Sequence, residues 1–212
     1  MTHFNHFDFV APLFDRFIKP TDPIKMKTLA DLPVNGNLLD VGGGTGRISY
    51  WLKDLVIGIV IADSSLRMLN QASKKCAFIT ICSNSEDLPF NDETFERVIM
   101  VDAFHHVTNQ RVTADELWRV VKPGGRIIIE EPDIRKISIK FIALVEKLLL
   151  MRSHFVSPSK IKDTFCYQNA LIQIESEGLT SWVVIEKLCG KEKTASDRFD
   201  IVLGDKLLAN SG

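Results

Sequence analysis

The chain has 212 residues, 45% of them hydrophobic and 25% charged, a balance that suits one globular α/β domain. Its formal net charge of −1 argues against a surface built to neutralise phosphates, so no nucleic-acid partner is expected. The four cysteines form no CxxC pair and no zinc-like spacing, which predicts a reduced, cytoplasmic protein without a bound metal.

Residues 1–34 form a preface. Phe4, Phe7, Phe9, Phe14 and Phe17 crowd its first half, and Pro20, Pro23 and Pro33 punctuate the rest, so a short helix or two should lead into a turn. No basic stretch followed by an apolar run opens the chain, and no secretory signal is expected. From residue 37 strands and helices alternate. Residues 37–41 form a short apolar strand that ends at a glycine cluster, and residues 45–54 suit a helix. Residues 56–62 are a near-continuous apolar run, the pattern of a parallel strand covered on both faces. Leu66, Met68, Leu69 and Ala72 give residues 65–75 helical spacing. Strands are predicted at 77–81, 95–101 and 126–130, a helix at 112–121, and a turn at Lys122-Pro-Gly-Gly125. Such alternation implies a parallel sheet with right-handed crossovers.

The remainder differs. Residues 136–152 and 160–177 read as two helices split by Ser157-Pro158, and residues 182–188 and 198–203 as strands of a closing hairpin. The apolar stretch 137–151 contains Lys140, Glu146 and Lys147, too charged and too short to span a bilayer, so no stable membrane insertion is expected. Its apolar surface exceeds what one face needs, which suits either a cap over an apolar substrate or a homodimer interface. The expected fold is a Rossmann-like, doubly wound α/β sheet of seven strands, mostly parallel with an antiparallel last strand. It forms a single domain over 1–212: a lid or preface at 1–34, a cofactor core at 37–131, a helical cap at 132–178 and closing strands at 179–212.

The stretch Leu38-Leu-Asp-Val-Gly-Gly-Gly-Thr-Gly46 lies between a strand and a helix. Glycines at 42, 44 and 46 let a ligand approach the backbone, and the next helix offers free N–H groups. Ligands of open α/β sheets bind at this carboxyl edge. The dinucleotide register G-x-G-x-x-G fails, because position 47 is Arg. Three alternating glycines after an acidic strand end favour a ligand over a bare turn. Asp63 closes the second strand, where a carboxylate either accepts both hydroxyls of a ribose or caps the following helix.

Four segments, in order, resemble the class I S-adenosylmethionine-dependent methyltransferases, in the branch of the ubiquinone/menaquinone-biosynthesis methylases. They are Leu38–Arg47, Asp63-Ser-Ser-Leu-Arg-Met-Leu69, Ser83-Asn-Ser-Glu-Asp-Leu-Pro-Phe90 with Phe95-Glu-Arg-Val98, and Leu117-Trp-Arg-Val-Val-Lys-Pro-Gly-Gly-Arg126. The resemblance implies S-adenosylmethionine as cofactor and assigns roles by position. Gly42, Gly44 and Gly46 belong to the cradle under the methionine and ribose. Asp40 helps hold the amino group, and Asp63 the ribose hydroxyls. Asn84 stands where the family commonly has Asp, which accepts from the adenine amino group; an amide oxygen accepts that bond too. Ser85 offers its backbone N–H to the ring, Ser64 replaces a usually apolar residue beside it, and Val101 to Ala103 pass near the sulfonium.

Methyl transfer from a sulfonium needs alignment and water exclusion, and a base only when the acceptor must first lose a proton. Asp102, His105 and His106 follow the fourth strand and are the candidates for that base; packing is the competing role for both histidines. Glu130, Glu131 and Asp133 follow the fifth strand, where two of the three are expected to be solvated or structural. The expected partner is a small-molecule acceptor with an apolar or aromatic ring. The alternatives are a cofactor-binding protein without turnover and a protein or lipid methyltransferase.

Overall fold

The computed structural model describes residues 22–140 and 154–190. Strands β1 (Asn37–Val41), β2 (Gly58–Asp63), β3 (Ile79–Cys82), β4 (Phe95–Val101), β5 (Val121–Pro132), β6 (Ala170–Glu177) and β7 (Thr180–Lys187) form one sheet in the order β3-β2-β1-β4-β5-β7-β6. The pairs from β3 to β5 are parallel, and β7 runs antiparallel to both β5 and β6. The helices are α1 (Pro23–Leu29), α2 (Arg47–Leu52), α3 (Leu66–Lys75), α4 (Gln110–Val120) and α5 (Pro158–Thr164). Residues 137–140 are also helical. No helix among the described residues is long and apolar enough to cross a membrane.

The continuous apolar runs are explained by two cores, one on each face. Leu39, Val98, Met100, Ile127, Ile129, Val183 and Ile185 pack into one. Their neighbours Leu38, Ile59, Ile61, Ile99, Ile128, Trp182 and Val184 pack into the other. Successive residues of a strand face opposite sides, so only a run without polar alternation can fill both layers. Short polar side chains start the helices. Asp22 Oδ1 accepts from Ile24 N at 2.9 Å, Ser65 Oγ from Met68 N at 3.2 Å, and Asn109 Oδ1 from Arg111 N at 3.1 Å.

Two expectations change. The turn at 122–125 is a bulge inside β5: Phe95 pairs with Val121, and Arg97 with Arg126, so four residues stand opposite one. Glu96 anchors it by accepting from Lys122 Nζ at 2.5 Å and from Asn37 N at 2.6 Å. The helix expected over 160–177 ends at Thr164, and its second half is strand β6. Among the described residues the closing hairpin is β6–β7, turned at Gly178-Leu179, so the strand expected at 182–188 pairs with 170–177. The apolar residues Leu171, Ile172 and Ile174 fit either element locally. Eight ladder pairs with β7 decide for the strand, and such long-range pairing overrides local preference. The expected strand 198–203, most of the helix 137–151 and the phenylalanine-rich part of the preface lie outside the described residues.

Gly46 packs α2 onto the sheet. Its φ is +69°, and a Cβ there would lie 2.9 Å from Ile61 Cδ1 and 3.3 Å from Ala72 Cβ. Gly46→Ala is expected to lose about 1–3 kcal/mol of stability, from backbone strain and overpacking together. A lowered urea midpoint with unchanged slope is the measurement that shows it.

Candidate active site

The loops after β1, β2, β3 and β4 enclose one cavity of about 220 Å³ at the carboxyl edge of the sheet. It brings together every candidate cofactor residue except Gly46, and it includes Asp102 and His106 but not His105.

The first loop carries Asp40, Gly42 and Gly44. Asp40 is 2% exposed and accepts a hydrogen bond from Ser49 Oγ at 2.6 Å. Burial pushes its carboxyl up to about 6, with the Asp63 charge adding and the Ser49 bond opposing. The loop crosses directly above it, for a Cβ on Gly43 would fall 2.5 Å from Asp40 Cγ. At Gly44 the φ is +54°, and no protein atom comes nearer than 3.9 Å to the place of a Cβ. Asp63 Oδ2 and Met68 Sδ stand at ordinary contact distance there, so the left-handed φ, and not crowding, is what favours glycine.

Asp63, at the end of β2, fastens two loops together. Its Oδ2 accepts from Gly44 N at 2.9 Å and its Oδ1 from Ser65 N at 2.7 Å. The cap of α3 is Ser65, not Asp63. An ionised carboxylate has about four acceptor positions, so this clamp remains compatible with further donors.

The third loop holds Ser83, Asn84, Ser85 and Glu86. The turn is closed by the Asn84 backbone carbonyl, which accepts from Asp87 N at 3.2 Å. The Ser85 hydroxyl faces Thr113 Oγ1 at 3.2 Å. Glu86 Oε1 accepts from Thr108 N at 2.8 Å and Asn109 N at 3.1 Å, so it joins the third loop to the fourth. Sequence reasoning missed Glu86, because its partners lie more than 20 residues away and no local pattern marks them.

In the fourth loop Val101 and Asp102 face the cavity, and Asp102 has a φ of +51°. Arg47 Nη2 stands 3.4 Å from Asp102 Oδ2. Burial, and then the Glu131 charge, raise the Asp102 carboxyl, while Arg47 opposes them. His106 is pushed down to about 3 by burial and by neighbouring His105. His105 is buried: its Nδ1 meets Glu131 Oε2 at 2.5 Å, and its ring stacks on Phe155 at 4.2 Å. Glu131 Oε1 also accepts from Phe104 N at 2.8 Å. Glu130 and Asp133 are buried as well, accepting from Trp182 Nε1 at 2.7 Å and Arg135 Nη2 at 2.7 Å. Glu130 and Glu131, near the end of β5, and Asp133, just after it, are therefore all buried and hydrogen-bonded, and none is solvated.

A model of the methyltransferase domain matches residues 39–129. The chain is 33% identical over 169 residues to a demethylmenaquinone methyltransferase of Clavibacter sepedonicus, covering 74% of this chain and 67% of that one. The chain belongs to the class I S-adenosylmethionine-dependent methyltransferases. A ubiquinone/menaquinone biosynthesis C-methyltransferase of Zymomonas mobilis is 34% identical over 101 residues, covering 45% of this chain and 42% of that one. A solved S-adenosylmethionine-dependent methyltransferase of Thermotoga maritima superposes with a TM-score of 0.70 at 21% identity, over 85% of this chain and 98% of that one, and shares the fold.

The protein is thus an enzyme whose methyl donor is S-adenosylmethionine, and its residues fit that molecule. The cavity crosses the ends of β3, β2, β1 and β4, three inter-strand steps or roughly 14 Å. That length accommodates a nucleoside joined to an amino-acid chain.

Two outcomes follow from this geometry. Asp63→Ala removes the clamp on Gly44 N–H and is expected to weaken binding of S-adenosylhomocysteine about ten- to a hundredfold by calorimetry, with the fold retained. Asp40 has its folded-state carboxyl raised from 3.8 to about 6. The folded chain then holds a proton that the unfolded chain has shed, so stability falls as pH rises between those two values. Asp40→Asn, which still accepts from Ser49, is expected to flatten that fall. Its size is up to about 3 kcal/mol at roughly 1.36 kcal/mol per unit, read from urea unfolding across pH 4 to 7.

Proposed function

We propose that the enzyme methylates a carbon or oxygen of a small-molecule acceptor with an apolar or aromatic ring, working as one domain in the cytoplasm. The observation that carries this reading is the wall at the end of β4, where Met100, Val101, Ala103 and Val107 line the cavity together with Asp102 and His106. An apolar wall with two convergent polar groups suits a ring that bears one or two oxygens. The relatives named as quinone-biosynthesis methyltransferases support an acceptor of the same kind.

The cofactor supplies a methyl group already activated on a sulfonium. The chain's residues align the acceptor and keep water out. In this reading Asp102, held beside Arg47, accepts a hydrogen bond from the acceptor hydroxyl and orients the ring. His106, with its pKa at about 3, stays neutral at physiological pH. It binds a proton too weakly to be an effective base and serves as a hydrogen-bonding wall. His105 and Glu131 support that wall from behind. The cofactor roles of Asp40, Gly42, Gly44, Asp63, Ser64, Asn84, Ser85 and Val101 belong to the same proposal. Gly46, which does not line the cavity, contributes by packing the loop against Ile61 and Ala72.

A methyl-release assay over hydroxylated naphthalenes, benzoquinols and phenols tests the reading, with protein, lipid and nucleic-acid substrates as controls. Turnover on at least one ring acceptor is expected; turnover on a macromolecule alone, or on nothing, overturns it. His106→Gln should keep kcat within about tenfold and leave the pH profile without a lost limb. Asp102→Asn should raise KM for the acceptor about tenfold or more, the scale of one charge-assisted hydrogen bond.

A further inference from the structure

The turn that carries His106 is held from a second side. Residues 154–156, which lead into α5, lie against it. His154 N–H donates to the His105 carbonyl at 2.6 Å, and the Phe155 ring stacks on the His105 ring at 4.2 Å and 15°. The His105 ring in turn meets the His106 ring at 3.9 Å. Three rings are therefore in contact in series, Phe155 to His105 to His106, and the last of them lines the cavity. Gln110, the first residue of α4, ties the same parts together. Its Nε2 donates to the His154 carbonyl at 2.9 Å and to the Phe104 carbonyl at 3.3 Å. Neither Gln110 nor Phe155 lines the cavity.

A turn as short as Phe104–His106 closes few bonds of its own, and its shape depends on what holds it from outside. Phe104 gives its N–H to Glu131 and its carbonyl to Gln110. The His105 ring is held at its edge by Glu131 and on its face by Phe155. Closely packed rings pass a displacement on, because no free volume absorbs it. We propose that Phe155 and Gln110 are positioning residues for the methyl acceptor, fixing the His106 ring in the cavity wall through His105. The inference rests on the acceptor reading above, which sets the acceptor ring against that wall. A wall touches the acceptor in the ground state and the transition state alike, so its displacement shows in KM more than in kcat.

Gln110 offers a clean test. A glutamate there offers no N–H to the two carbonyls and repels them, whereas a negative charge in the first turn favours the helix. Gln110→Glu thus cuts the tie and leaves α4 at least as stable. This variant, Phe155→Leu and Phe155→Tyr are compared with the wild type in melting temperature and in S-adenosylhomocysteine affinity by calorimetry. Their kcat and KM are measured for the ring acceptor, from the panel above, that the wild type turns over fastest. Gln110→Glu and Phe155→Leu should raise the acceptor KM about tenfold, with kcat and cofactor affinity within about threefold of the wild type. Phe155→Tyr keeps the stack and should keep the KM. An unchanged KM in a folded Gln110→Glu or Phe155→Leu overturns the proposal, as does a parallel loss of cofactor affinity. So does a Phe155→Tyr variant as impaired as Phe155→Leu. If the wild type binds S-adenosylhomocysteine yet turns over no ring acceptor, the acceptor reading itself falls, and the proposal with it.

Discussion

The Asp63 carboxylate takes the Gly44 amide on one oxygen and the Ser65 amide on the other, and these two bonds join the first loop of the cavity to the second. Hydrogen bonds to a charged acceptor are stronger than neutral ones, and inside a partly buried site they lose little to water. The first loop needs that hold. It crosses above the buried Asp40 and passes through left-handed φ values at Gly42, Gly44 and Gly46. A chain of glycines has much freedom to lose, and the carboxylate of Asp63 fixes it in one shape.

The sheet supplies the place where this loop is useful. β1 connects to β2 on one side and has β4 on the other, so the chain reverses its direction of winding at β1. Loops leaving neighbouring strands at such a point diverge and leave a crevice. The β4 side of the crevice carries Asp102 and His106 with Arg47 beside them, and its β3 side carries Ser83, Asn84 and Ser85 together with the Glu86 carboxylate.

A further layer of acids supports the fourth loop from behind. Glu131 holds both the Phe104 N–H and the His105 ring, while Glu130 holds the Trp182 indole. Buried carboxylates of this kind need partners, because an unpaired charge away from water is costly. Glu131 holds the short turn Phe104–His106, in which His106 lines the cavity and His105 does not. A pair of adjacent histidines is thereby divided between a site wall and the core.

Much of this was legible in the sequence. The unbroken apolar runs announced strands covered on both faces, and the cores on either side of β1, β2, β4, β5 and β7 account for them. The alternating glycines and Asp63 marked the ligand edge, since backbone conformation and strand ends are local properties. What the sequence left open involves partners distant along the chain. β6 is a strand because β7 pairs with it, although its apolar spacing also fits a helix. Gly46 resembles its neighbouring glycines in the motif, yet Ile61 and Ala72 press on it from β2 and α3 and make it a packing residue. The same holds for Glu86, Glu131 and the division of His105 from His106. Periodicity and turn chemistry act over a few residues and can be read in order, whereas burial and the choice of a hydrogen-bond partner depend on which segments the finished sheet brings side by side.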